Sequence, residues 1–446
     1  MTQLQATQFD LDDLKRLADQ LLDEAKRQGA TGAETDISVD SGLSVTVRLG
    51  DVETLEHHKD QDLAVVVYFG TRRGSSSSSD LTTEALKETV RAACRIARYT
   101  AEDKCAGLAD PELMARNYPD LDLDHPWELG AEQAVDIAIE CEAAARVDKR
   151  ITNSDGATVS RLRGASVYGN SQGFIGGYRA TRHSLSCAVI GQQNGQMQRD
   201  YWYSVARDKA WLEQPQTVGR IAAERTLKRL GAHRLGTCQA PVIFEAGVAR
   251  GLLGHFVSAI SGGALYRKAS FLVDHAGKQV FPSFVHIHEQ PHLKGAMGSA
   301  PFDNEGVATR PRDLVTDGVL QGYVLSSYSA CRLGLKTTGN AGGVRNLTID
   351  PGPNDLSALL KLMDTGLLVT ELIGHGFNMV TGDYSRGAAG FWIEGGEIQY
   401  PVEEITIAGN LKDMLLSMEA VGNDMDMRGN VRSGSIFIER MTVAGG

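Results

Sequence analysis

Apolar residues recur along this chain at two spacings, every third or fourth position in some stretches and every second position in others, and the two kinds of stretch come in blocks. Leu11, Leu14, Leu17, Leu21 and Leu22 lie on one face of a helix that Asp10 can cap and Gly29 can end. Ser44 to Leu49 alternates, turns at Gly50-Asp51 and continues as Val52 to Glu56, while the nearly all-apolar Leu63 to Phe69 predicts a central strand. Leu86, Val90, Ala93, Cys94 and Ala97 give a second helix face between Thr82 and Arg98. Between the Gly70 to Gly74 turn and that helix stands the run Ser75 to Ser79. Five serines suit a flexible linker, but the position after a hairpin turn predicts an ordered strand of small residues.

The same order then repeats. Asp110-Pro111, Tyr118-Pro119 and His125-Pro126 mark a crossing segment between Tyr99 and Leu129. Ala131 to Val147 reads as a helix. Ala157 to Tyr168, Phe174 to Ile190 and Gln196 to Ala206 read as strands, and Val218 to Leu230 as another helix. Two helix-meander-helix units are therefore expected, over residues 1–120 and 121–235.

Residues 236–446 follow a different plan. Pro241 to Gly263 runs from an apolar strand into a helix whose Val248, Leu252, Leu253, Phe256, Val257 and Ile260 face a core and whose histidine is His255. Asp317-Gly318 turns a hairpin, and Gly366 to Gly374, Gly387 to Ile393, Ile398 to Ile407 and Ser435 to Val443 continue as strands, with a helix from Leu411 to Ala420 capped by Asn410. Glycines at the corners of so many strands predict a closed or strongly curled sheet. The fold class is α+β: an N-terminal mixed helix and antiparallel-sheet part, and a C-terminal β-rich, barrel-like part.

Charge and cysteine usage narrow the function. A net charge of −11 over 446 residues, without a Lys/Arg cluster, argues against a nucleic-acid surface. No apolar run is long enough to span a bilayer and the start lacks a basic stretch followed by an apolar one, so the expectation is a cytoplasmic protein. Six scattered cysteines with no C-x-x-C pair predict reduced, mostly buried thiols.

Two local motifs carry possible chemistry. Gly169-Asn-Ser-Gln-Gly173 fits the G-x-S-x-G nucleophile elbow, but extended residues stand on both sides, so Asn170-Ser171-Gln172 is expected to be a hairpin turn. In His286-Ile-His288-Glu-Gln-Pro-His292, the first two histidines share a face of any strand, and Glu289 or His292 would complete a metal site. Pro291 instead favours an exposed loop with solvated histidines.

The segments Phe302-Asp-Asn-Glu-Gly306, Gly339-Asn-Ala-Gly-Gly343, Gly382-Asp-Tyr-Ser-Arg-Gly387-Ala-Ala-Gly-Phe-Trp392 and Tyr400-Pro-Val-Glu-Glu-Ile-Thr-Ile-Ala-Gly-Asn410 resemble the PmbA/TldD family. With Arg98-Tyr99-Thr100, Val167-Tyr-Gly-Asn170 and Thr181-Arg-His-Ser-Leu185 the likeness spans nearly the whole chain and is nearer to the PmbA (TldE) branch. It implies a cytoplasmic zinc peptidase of TldD and TldE subunits that trims peptides and unfolded segments, including a microcin precursor and an antitoxin. In the TldD branch a helix carries H-E-x-x-x-H and a cysteine near the C-terminus completes the zinc site. Set on Leu252-Leu253, the first histidine falls on Gly254, the glutamate on His255 and the second histidine on Ala259, and no cysteine follows Cys331.

The resemblance therefore implies a non-catalytic partner without catalytic or metal residues or a cofactor of its own, the zinc being held by a TldD-type subunit. His255, Tyr384 and Arg386 are its candidate peptide-facing or partner-facing residues. Alternatives are a metallopeptidase active by itself at an unrecognised site, and a protein-binding modulator of DNA gyrase. The sequence leaves open whether the chain also forms homodimers.

Overall fold

The computed structural model describes residues 10–445. Helix α1 (Leu11–Arg27) starts at Asp10, whose carboxylate accepts from the Asp12 amide, and stops before Gly29, which takes φ +84°. Strands β1 (Gly32–Arg48), β2 (Asp51–Phe69) and β3 (Arg72–Ser78) form the first meander, closed by α2 (Thr83–Tyr99). The serine run is ordered: Ser75 to Ser78 pair with Val66 to Leu63 of β2. Gly74 lets α2 settle on this strand, since a Cβ there would stand 2.2 Å from the Ala93 carbonyl oxygen.

The second unit repeats the pattern with α3 (Ala131–Ala145), β4 (Ile151–Asn170), β5 (Phe174–Gln193), β6 (Gln196–Ala206) and α4 (Pro215–Lys228). The two meanders make one sheet, ordered β3-β2-β1-β4-β5-β6, because β1 and β4 pair antiparallel from Glu34–Asn170 to Val47–Ala157. Helices α1 and α2 cover one apolar cluster, with Leu14, Leu21, Val65, Val67 and Val90, while α3 and α4 cover another, with Val45, Ala138, Val159, Leu185 and Val218. Residues 170–174 form the β4–β5 hairpin, with Gly173 at φ +91°, so the G-x-S-x-G match is a turn.

The C-terminal part runs β7 (Cys238–Phe244), α5 (Ala246–Ala259), α6 (Gly262–Tyr266), β8 (Ile287–Glu289), β9 (Arg312–Thr316), β10 (Val319–Leu320), α7 (Ser327–Leu333), β11 (Leu347–Ile349), α8 (Leu356–Met363), β12 (Gly366–Ile373), β13 (Asp383–Glu394), β14 (Glu397–Asn410), α9 (Leu411–Leu416), β15 (Met418–Val421), β16 (Val431–Arg432) and β17 (Ile436–Gly445). One sheet is ordered β14-β13-β12-β7-β17-β15, and an added β14–β17 pairing closes five of its strands into a barrel. Where β12 and β14 bulge on either side of β13, Gly390 is required, since a Cβ would stand 1.8 Å from the Leu368 carbonyl oxygen. A smaller sheet, β10-β9-β8-β11-β16, packs into the same core.

Four sequence expectations are corrected. Helix α9 stops at Leu416 rather than Ala420, because Met418–Val421 is strand β15, paired with β17. The His286 to Glu289 stretch is not an exposed loop: Ile287–Glu289 is a strand with β9 on one side and β11 on the other, because Ile287 is needed in the core. Strand β13 begins at Asp383 rather than Gly387, since Tyr384 also belongs to the core. The cysteines are not all free: Cys105 and Cys331, 226 residues apart, form a disulfide with Cα atoms 5.5 Å apart, a pairing that no local spacing could announce. It fastens the crossing segment to α7. The same segment also anchors Met114 against Val307 and Tyr118 against Phe302. Among the described residues no helix is long and apolar enough to cross a membrane.

Candidate functional site

Helix α5 is apolar on one side and glycine-lined on the other. Ala249, Leu252, Leu253, Phe256 and Ala259 are buried in a core shared with Val242, Leu367, Val369 and Ile438. Gly247, Gly251 and Gly254, at helical spacing, share the other side. A Cβ at Gly251 or Gly254 would meet nothing within 4 Å, so this side is open. The positions compared with zinc ligands thus divide: Gly254 borders open space, His255 is half-buried, and Ala259 is in the core.

His255 packs on aromatic rings. Its centroid lies 4.0 Å from that of Phe377 and 6.0 Å from that of Tyr384. Burial, reinforced by the nearby Arg386 guanidinium, lowers the His255 pKa to about 4, so the imidazole is neutral at pH 7. Burial raises the Tyr384 phenol to about 12 against the opposing pull of Arg386. Tyr384 is 2% exposed, so it backs His255 rather than facing a peptide. Among the described residues, neither Tyr384 Oη nor Arg386 Nε finds a hydrogen-bond partner. The structure therefore brings His255, Tyr384 and Arg386 together, with Arg386 also on the wall of a cleft.

That cleft, about 690 Å³, lies between the central unit and the barrel at the start of α5. Ion pairs underlie it, and those of Glu245 and Glu371 cross between the two parts. Arg225 of α4 meets Asp200 at 3.3 Å and Glu245 at 3.1 Å, and Arg229 meets Glu371 at 2.6 Å. Asp426 takes Arg428 bidentately at 2.9 Å and Arg250 at 3.7 Å. The Arg428 guanidinium also lies over Trp202 and Tyr203, 4.2 and 4.3 Å from their centroids. Burial opposes ionisation of Asp426, but Arg428 and Arg250 outweigh it and hold the carboxyl below its ordinary value. Glu245, at the cap of α5, is pushed up by burial despite Arg225.

Such a cleft offers open backbone on the α5 glycine side, cations and anions for chain termini, and flat rings. Those are the elements for holding an extended peptide. Sequence reasoning found the α5 and β13 residues but missed Trp202, Tyr203, Arg225, Asp426 and Arg428. The contacts of Arg225 with Glu245 and of Arg428 with Trp202 and Tyr203 cross from the central unit to the barrel region, and no periodicity within either would reveal them.

The histidine cluster is also sorted by the structure. His286 and His288 project from the same side of β8, and the residue that joins them is Asp350, not Glu289 or His292. Glu289 points to the other side, where Arg312 Nε donates to it at 2.7 Å and the Arg345 amide at 3.0 Å. His292 bonds the Thr309 hydroxyl at 3.0 Å.

Three sequence models of one family match in order: PmbA/TldA metallopeptidase domain 1 over residues 33–97, the central domain over 124–230 and the C-terminal domain over 237–445. The Metalloprotease PmbA of Escherichia coli O157:H7 is 51% identical over 93% of this chain and 92% of its own. A crystal structure from Bacteroides thetaiotaomicron VPI-5482, of a protein described as a proposed modulator of DNA gyrase, superposes with TM-score 0.92 at 29% identity, covering 98% of this chain and 99% of that one. The fold is shared with TldE of Thermococcus kodakarensis, at TM-score 0.83 and 18% identity over 96% of this chain and 100% of that one. With all three domain matches in sequence order and half its residues identical to those of a PmbA across nearly its full length, the chain belongs to the PmbA/TldD family.

Proposed function

We propose that this chain is the TldE-type subunit of a TldD/TldE zinc peptidase acting on peptides and unfolded segments. The TldD-type chain holds the catalytic zinc, and this chain supplies a wall of the peptide chamber. The observation that carries the reading is the chemistry of α5. A catalytic zinc takes three protein ligands and an open position. Here Gly254 has no side chain, Ala259 is in the core, and His255 rests on Phe377 beside a cation that would repel a metal ion. The cleft and its open glycine side support the second half of the reading, because an extended peptide needs close approach to backbone.

Co-purification with the TldD-type protein of the same organism tests it. Peptide hydrolysis is expected from the pair, none from this chain alone, and the activity of the pair is expected to survive His255→Ala. Metal-dependent hydrolysis by this chain alone, abolished by a chelator, would overturn the reading in favour of an independent metallopeptidase.

A further inference from the structure

Among the described residues, one group of three His, Cys, Asp or Glu side chains brings its ligand atoms within 4.8 Å of one another: His286, His288 and Asp350. None of the three lines the cleft beside α5. We propose that they bind a divalent metal ion of the zinc class, with Asp313 orienting His286 from behind.

The site is built on and at the ends of three adjacent strands, with His286 just before β8. Ile287 and Glu289 of β8 point into the protein, which turns His286 and His288 outward together. Asp350 follows β11, and its amide donates to the His286 carbonyl at 3.0 Å. Asp313 is on β9, opposite His288 in the register. His288 and Asp313 thus sit on paired strands, and His286 and Asp350 on the residues directly adjoining them, joined by that backbone bond, which fixes their mutual distances.

The spacing suits a small cation. The Asp350 carboxylate lies between the two imidazoles, with Oδ2 at 3.2 Å from His286 Nδ1 and Oδ1 at 3.2 Å from His288 Nδ1. Two ligand atoms each about 2.0–2.1 Å from a tetrahedral zinc stand about 3.3 Å apart. On the far side of the ring, His286 Nε2 is 2.9 Å from Asp313 Oδ1. With Nε2–H donating to Asp313, Nδ1 carries a lone pair aimed at a carboxylate, and two acceptors at that distance need a cation or a proton between them. A carboxylate behind a ligating imidazole is the usual outer partner of a histidine–metal bond. Two imidazoles and one carboxylate match zinc and its first-row neighbours rather than calcium or magnesium, and solvent fills the remaining positions.

The test is metal content of the full chain, stripped with chelator, dialysed against micromolar Zn²⁺ and analysed for bound zinc. About one zinc per chain is expected, falling at least about tenfold in His288→Ala and equally in Asp350→Asn. The two variants lie on different segments, so a shared folding defect is excluded by unchanged circular dichroism in either one. Asp313→Asn should keep the site but weaken it by roughly 10–100-fold, as outer partners do. His255→Ala should load fully. No bound zinc in the unmodified chain, or undiminished zinc in both His288→Ala and Asp350→Asn, would overturn the proposal and leave the cluster a set of proton-mediated ion pairs. The readout is independent of which chain cleaves peptides.

Discussion

His255 and Phe377 face each other with ring centroids 4.0 Å apart, and the neighbouring charged group is a cation, Arg386. Protonating His255 would bury a second positive charge beside the first. Its folded-state pKa of about 4 lies below the ordinary 6.5, so above pH 6.5 the group costs nothing. Between 6.5 and 4 the unfolded chain binds the proton that the folded chain refuses, and stability falls with pH. His255→Gln should flatten that limb. Urea midpoints from pH 7 to 4.5, compared for the two proteins, would show it, and parallel curves would deny it.

Arg386 joins this aromatic cluster to the cleft wall. If it contacts peptide in the assembled pair, Arg386→Ala should lower kcat/KM of the reconstituted enzyme by at least about tenfold, the range of one charge-assisted hydrogen bond. Assembly, followed by gel filtration, should be unchanged. Unaltered cleavage would move the peptide contact to the Arg250 side of α5.

Arg428, held by Asp426, lies over Trp202 and Tyr203 and so ties the barrel part to the central unit. Asp426 is buried and holds two guanidiniums, so Asp426→Asn leaves Arg428 and Arg250 without their counter-charge. A loss of about 2–3 kcal/mol is expected in urea unfolding. The loss should be absent from the Arg428→Met, Asp426→Asn double variant to the extent that an uncompensated charge is its cause.

Gly376 places Phe377 over His255. A Cβ there would stand 1.5 Å from the Ser385 carbonyl oxygen, so Gly376→Ala must displace the Phe377 segment from β13. Destabilisation of roughly 1–3 kcal/mol is expected from such overpacking. The more telling sign is at His255. With Phe377 moved away and water admitted, its pKa should rise toward 6.5, as read from the imidazole proton shifts in an NMR titration.

Much of the architecture was legible because it is written in local periodicity. The α1 and α2 faces, the serine strand and the β4–β5 turn each follow from residues close in sequence. Joining the two meanders into one sheet was not legible, since β1 and β4 meet over a separation of more than a hundred residues and nothing in either marks the other. The same limit applies to the sites. His286-Ile-His288 announced two donors on one face, but Asp313 arrives on β9 and Asp350 from the end of β11. The pairing of Cys105 with Cys331 was missed for that reason as well.

The barrel closes through β14 and β17, with Ile405 to Ala408 pairing against Gly445 to Thr442. During synthesis the N-terminal sheet has all its strands once residue 206 has emerged, whereas β7 must wait about two hundred residues for the strand that flanks it on the far side. Until then α5 lacks part of the wall it packs against, since Ile438 of β17 belongs to the same core. The cleft, which needs both the N-terminal sheet and the closed barrel, is therefore among the last features of the molecule to form.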